Sequence, residues 1–322
     1  MQQDEGARAG RLAVAAATVT VVFWASAFVA IRSAGADYGP GALALGRLLS
    51  GTVVLGTLWL IRGEGLPPRA AWPGIATAGV LWFGAYMVAL NWGEQLVDAG
   101  TAALVVNIGP ILIALLGGWL LKEGLSSRLM LGMAVSFAGA AVVGLSMSGD
   151  GRSSVGGVLL CLAAAVTYAA GVVAQKPALR HASALQFTTF ACAIGALACL
   201  PFSGQLVSQA ADASAGATLN MVYLGVFPTA VAFTTWGYAL ARTTAGKMGA
   251  TTYAAPALVV GMSWLFLDEV PGLVTLCGGL LCLTGVAVSR STRTLRRRVP
   301  PVTPEPGAPD SPSGLIDAHT HD

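Results

Sequence analysis

Ten long apolar runs, separated by short polar joints, make up most of this chain. They lie approximately at 12–33, 40–61, 72–92, 98–120, 128–147, 154–175, 184–203, 217–240, 246–267 and 271–289. Hydrocarbon thickness calls for roughly 20 apolar residues per spanning helix, so each run predicts one membrane helix. The runs are dense in Gly and Ala, and Gly alone supplies 41 of the 322 residues. Small residues weaken a soluble helix but let membrane helices approach backbone to backbone, which predicts a tightly packed bundle. The pattern also repeats. Gly100, Pro110, Glu123, Gly132 and Gly139 return as Gly246, Pro256, Glu269, Gly278 and Gly285, each 146 residues later. A period this long signals a duplicated bundle and is far too long for a solenoid.

Composition agrees with the runs. Hydrophobic residues are 55% of the chain and charged residues 10%, against about a quarter charged in ordinary soluble domains. Too few ionisable groups remain to cover a soluble globule of this length. Cys161, Cys192, Cys199, Cys277 and Cys282 all fall in apolar runs without Cys-x-x-Cys or Cys/His spacing. They read as packing residues and imply neither a disulfide framework nor a metal site. No cofactor and no nucleic-acid partner is expected.

The placement of charge orients the bundle. With a cytoplasmic N-terminus, 15 of the 18 Lys and Arg fall on the inner side, Arg32 and Arg152 fall outside, and Arg47 lies within a run. The positive-inside rule therefore places both termini in the cytoplasm. Five runs precede residue 150 and five follow, and an odd number of spans turns the second copy upside down. The predicted fold is an all-α membrane protein of ten transmembrane helices, arranged as two inverted five-helix repeats with a pseudo-two-fold axis in the membrane plane. Residues 1–11 form a cytoplasmic N-terminus, 12–150 the first repeat, 151–290 the second and 291–322 a tail. Ala25-Ser26-Ala27 has the small-x-small form of a signal-peptidase site, but apolar sequence continues through Phe28-Val29-Ala30-Ile31 to a full span, and cleavage would break the five-plus-five symmetry. In the tail, Arg293 and Arg296-Arg297-Arg298 form a basic collar suited to anionic lipid, and a proline-rich stretch follows that predicts disorder. The last residues, Gly314 to Asp322, resemble the first metal-binding strand of amidohydrolases around His319 and His321. No barrel follows to complete such an enzyme.

Phe23-Trp24-Ala25-Ser26-Ala27-Phe28-Val29-Ala30-Ile31, Leu45-Gly46-Arg47-Leu48, Tyr238-Ala239-Leu240 and the repeated Gly–Pro–Glu–Gly–Gly ladder together carry a family resemblance. The chain resembles the drug/metabolite transporter superfamily, in its EamA-type form with two five-helix repeats, over about residues 12–289. The resemblance implies transport of small organic solutes such as amino acids and their relatives, nucleosides or xenobiotics, in bacteria usually outward. At an offset of 144, Trp24 falls on Tyr168 and Arg47 on Ala191, so a site between the halves is expected to be asymmetric.

Candidate site residues are the polar and aromatic groups within spans. Arg47 is the one ionisable side chain well inside a run. It either anchors a solute carboxylate, pairs with Glu94 or Asp98 as a gate, or snorkels to the outer headgroups. Pro110 and Pro256 are expected mid-helix, each freeing a carbonyl, where they either mark a midplane site or shape packing. Asn107 and its counterpart Tyr253 are solute ligands or interhelical ties. Trp24 and Tyr168, paired by the repeat, are expected to line the site with Tyr86. Asn91, Gln175, Trp236 and Trp82 are candidates for which packing is the stronger reading. A cavity of aromatics with a few amides suits a small amphipathic solute. Glu123 and Glu269 fall at span ends and read as solvated joints; no Asp or Glu lies mid-span, so no proton carrier is evident. The expectation is a secondary transporter of the plasma membrane, working by alternating access and exporting a small amphipathic metabolite. A membrane-embedded sensor that binds without translocating is the competing reading.

Overall fold

Capping residues and breaks in the sequence set the helix limits. In chain order the helices are α1 (Gln2–Ala34), α2 (Pro40–Arg62), α3 (Arg69–Leu96), α4 (Gly109–Leu120), α5 (Ser127–Met147), α6 (Val155–Ala178), α7 (Ala184–Ala198), α8 (Ser203–Asp212), α9 (Ala215–Ala241), α10 (Ala245–Thr251) and α11 (Leu273–Arg290). The computed structural model describes residues 2–96, 105–147, 154–255, 257–258, 262 and 272–290. Asp98, Pro256, Glu269 and the tail from 291 onward, with His319 and His321, lie outside the described residues.

Pro40 opens α2 in its first turn, where a missing N–H costs nothing, and Gly63 ends it in the left-handed region at φ 62°. The Ser154, Ser214 and Thr244 hydroxyls accept the N–H groups of Gly157, Ala217 and Lys247 and so cap α6, α9 and α10. Ser183 and Gln186 form a full capping box on α7, satisfying two otherwise orphaned backbone donors. Outside the spans, Asp37 in the α1–α2 turn accepts from the Ser214 hydroxyl at 2.7 Å and its backbone N–H at 2.9 Å. These bonds hold its carboxyl below the ordinary value.

By length and apolarity α1 (through Gly10–Ala27), α2, α3, α6 and α9 can each cross a membrane, and α7 with α8 makes a sixth if the 54° bend between them lies within one span. The other four apolar runs are met by α4, α5, α10 and α11, whose described residues supply less than a full apolar span. The run at 98–120 departs from expectation. The chain turns at Asn107–Ile108, and Pro110 sits in the first turn of α4 instead of mid-helix. Pro110 has no N–H to bond back to the preceding turn, so it fits the start of a helix and not the middle of one.

Burial is inverted relative to a soluble protein. Ile61 is 77% exposed and Trp119 75%, whereas Thr20, Gln175 and Thr229 are fully buried. An apolar exterior around polar interior groups is what lipid demands.

Helices α5 and α11 pack through small residues. A Cβ on Gly132 would lie 2.6 Å from the Gly285 carbonyl, and one on Gly139 would lie 2.7 Å from that of Gly278. Between them, the Ser136 hydroxyl donates to the Cys282 carbonyl at 3.1 Å, and the Cys282 thiol approaches the Ser136 carbonyl at 3.5 Å. One helix's numbers rise as the other's fall, so the pair is antiparallel. Ser136 and Cys282 are themselves 146 residues apart, so residues equivalent by the repeat meet each other reciprocally.

Candidate functional site

Two matched irregularities frame the site. Residues Gly79–Ala85 of α3 and Gly225–Val231 of α9 are π-helical, seven residues each, starting 146 positions apart. Such widened turns recur at functional sites. Each begins at a glycine pressed against a neighbouring backbone: a Cβ on Gly225 would lie 2.5 Å from the Arg47 carbonyl, and one on Gly79 would lie 2.9 Å from that of Ala191. In return a Cβ on Gly51 of α2 would lie 3.0 Å from the Gly225 carbonyl, and one on Gly195 of α7 would lie 3.1 Å from that of Gly79. The α2–α9 and α7–α3 junctions therefore have the same backbone frame.

Side chains from opposite repeats meet on this frame. The Trp24 indole N–H donates to the Pro228 carbonyl at 3.2 Å, within the second π segment. Arg47 donates through Nε to the Thr229 hydroxyl at 2.7 Å, and that hydroxyl donates to the Leu224 carbonyl at 2.9 Å. On the other side Tyr168 packs on Trp82 of the first π segment, with ring centroids 5.4 Å apart. Trp82 is the hub: Trp24 lies 6.1 Å away, Phe233 4.7 Å and Trp236 5.8 Å. Tyr86 reaches Tyr168 at 5.7 Å. Trp24 and Tyr86 are half-buried, while Trp82 and Trp236 are closed off.

The polar members divide by their partners. Trp236 donates to the Gln175 amide oxygen at 3.1 Å. The Gln175 amide nitrogen and the Tyr168 hydroxyl are buried with no hydrogen-bond partner among the described residues. The Thr252 hydroxyl beside Tyr168 is committed to the Gly249 carbonyl at 2.7 Å. Arg47 is 9% exposed, and its only hydrogen bond among the described residues is that to Thr229. Buried donors without acceptors are costly, and among the described residues Arg47, Tyr168 and Gln175 keep such unused capacity.

Two candidate site side chains make ties to backbone carbonyls. The Tyr253 hydroxyl donates to the Asn107 backbone carbonyl at 2.8 Å, linking residues equivalent by the repeat. Asn91 donates to the Pro40 carbonyl at 3.1 Å. Between Asn107 and Pro110 in the chain, Gly109 leaves room for the Tyr168 ring, 2.7 Å from where its Cβ would sit. Thr229 and Phe233 were not expected from the sequence. Pro228 inside an apolar run, displaced by the repeat from Trp82, was the available signal. Glu123 is not simply solvated: it accepts the Ala245 N–H at 2.6 Å at the start of α10. Close by, Lys176 donates to the Leu240 and Thr243 carbonyls between α9 and α10.

Comparisons with known proteins agree with this architecture. The model of the EamA-like transporter family matches residues 11–145 and again 155–291. A probable terminal-alkyne amino-acid exporter of Streptantibioticus cattleyicolor is 37% identical over 292 residues, covering 91% of this chain and 97% of that protein. The uncharacterized transporter YdfC of Bacillus subtilis is 34% identical, over 84% of this chain and 88% of its own. One solved crystal structure superposes with a TM-score of 0.71 at 24% identity, covering 86% of this chain and 96% of the other, a likeness of fold.

Proposed function

This chain belongs to the EamA-like transporter family, and from that premise we propose that it exports a small amphipathic carboxylate, such as an amino-acid-like compound, by alternating access. Two five-helix halves, 12–150 and 151–290, are inserted in opposite directions, giving ten membrane helices. Residues 1–11 and the tail 291–322 lie in the cytoplasm, and the protein resides in the plasma membrane with its basic collar on anionic lipid. The antiparallel reciprocal packing of α5 on α11 supports inversion, since repeats inserted in the same direction would pair their equivalent helices in parallel.

One observation carries the functional reading: the site is assembled across the halves. Trp24 and Arg47 of the first half bond to the π segment of the second, and Tyr168 of the second half packs on the π segment of the first. Rocking the halves about this junction exposes the same groups to either side in turn. Arg47 holds the carboxylate and the partly open aromatic faces hold the apolar body. The relative's description as an amino-acid exporter favours both the solute class and the direction. Family and relatives are transporters, which speaks against an enzyme.

Counterflow in proteoliposomes tests this. Vesicles loaded with unlabelled L-leucine and related amphipathic amino acids should accumulate the labelled solute, and Arg47→Gln should slow uptake by about tenfold or more, the loss expected for a charge-assisted contact. Binding without counterflow would favour the sensor, and counterflow indifferent to Arg47→Gln would remove the anchor role.

A further inference from the structure

The two equivalent junctions share a backbone frame but not their chemistry. Displaced by the repeat, Thr229 corresponds to Phe83 and Arg47 to Ala191. In the α7–α3 junction the Phe83 Cβ lies 2.5 Å from where a Gly195 Cβ would sit, and nothing polar replaces it. In the α2–α9 junction the Thr229 methyl lies 3.2 Å from the equivalent point on Gly51, and its hydroxyl meets Arg47 at 2.7 Å. One junction therefore carries a cation and its hydroxyl partner where the equivalent junction has Ala191 and Phe83.

We infer that Thr229 is a positioning residue that sets selectivity for carboxylate solutes through Arg47; the inference rests on the carboxylate-anchor reading above. A hydroxyl has one proton to give, and Thr229 gives it to the Leu224 carbonyl at 2.9 Å, the acceptor five residues earlier at the entry to the π segment. Only its lone pairs remain for Arg47, so the hydroxyl is a fixed acceptor for Nε–H. Holding Nε fixes the plane of the guanidinium and leaves its two terminal amino groups without a hydrogen bond among the described residues. A cation nine-tenths buried with no ion pair among the described residues needs an anion, and two parallel N–H groups match the two oxygens of a carboxylate. The π turn does the orienting, because it places the Leu224 carbonyl under the Thr229 hydroxyl.

The test is equilibrium binding to the full-length protein in detergent, read by tryptophan fluorescence, with L-leucine, hexanoate and their uncharged-carboxyl partners L-leucinamide and hexanamide. The wild type should prefer each carboxylate over its amide. Thr229→Val should weaken carboxylate binding about tenfold with amide affinity unchanged, Thr229→Ser should restore it to within about threefold, and Arg47→Gln should abolish the preference. If Thr229→Val weakens acid and amide alike, the residue is merely structural and the inference fails. If Thr229→Val is silent while Arg47→Gln abolishes the preference, the inference fails and the anchor reading stands. If the wild type binds neither acid, or shows no preference that depends on Arg47, both fail.

Discussion

At the scale of single residues, what separates the informative positions is whether their chemistry is rare in context. Arg47 was legible because a charge within an apolar run is expensive, and the structure gives it a protein partner. Trp24 and Tyr168 were legible because the repeat pairs them. Thr229 was not: a threonine in a membrane helix most often bonds its own preceding turn, and only folding brings its lone pairs to Arg47. For Tyr253 the sequence left a ligand and an interhelical tie open, and folding sets its hydroxyl on the Asn107 carbonyl. Outside the spans, Asp37 makes a pH prediction. Its carboxyl is held below the ordinary value by the Ser214 bonds, so its contribution is present above the usual carboxylate range and is lost as pH falls through the lowered value. Thermal stability of the wild type should decline over that acid range, and Asp37→Asn should be less stable at neutral pH and show a flatter decline. Identical pH profiles for the two proteins would contradict the cap.

At the scale of elements, runs, caps and glycine spacing were legible, and irregular helix was not. The ladder marked Gly132 and Gly139, and these are the contacts of α5 on α11. The π segments left no periodic signature, because seven residues of widened turn inside a uniformly apolar run change no pattern of burial that a sequence displays. Pro110 misled for a related reason: a proline inside a long run reads as a kink, but where the run is already broken it simply starts the next helix. The junction glycines give the sharpest prediction. A Cβ on Gly225 would lie 2.0 Å from the Ser50 hydroxyl and 2.5 Å from the Arg47 carbonyl. Because backbone cannot step aside, Gly225→Ala should cost about 1–3 kcal/mol. Gly56, with nothing within 4 Å, provides the control, and Gly56→Ala should stay within about 0.5 kcal/mol. Melting temperatures in detergent decide it, and equal shifts for the two variants would refute the close approach of α2 and α9.

At the scale of the whole molecule, the duplication was visible as a constant offset along the ladder, and the proposed inversion rests on the charge asymmetry of the joints. What the sequence could not supply is how the halves interlock. Trp24 and Arg47 reach into the second π segment, Tyr168 lies against the first, and Glu123 bonds the start of α10 in the opposite half. These are long-range pairings between helices whose apolar faces look alike in sequence. The central claim is that the halves are oppositely inserted with the solute site between them. It is tested most directly by two cysteines placed at positions equivalent by the repeat, Ser126→Cys before α5 and Gly272→Cys before α11, each in a cysteine-free background. Both positions are exposed. In intact cells a membrane-impermeant maleimide should label the protein through Gly272→Cys, and should reach Ser126→Cys only after the cells are opened. Labelling of both from the same side would contradict the inverted arrangement.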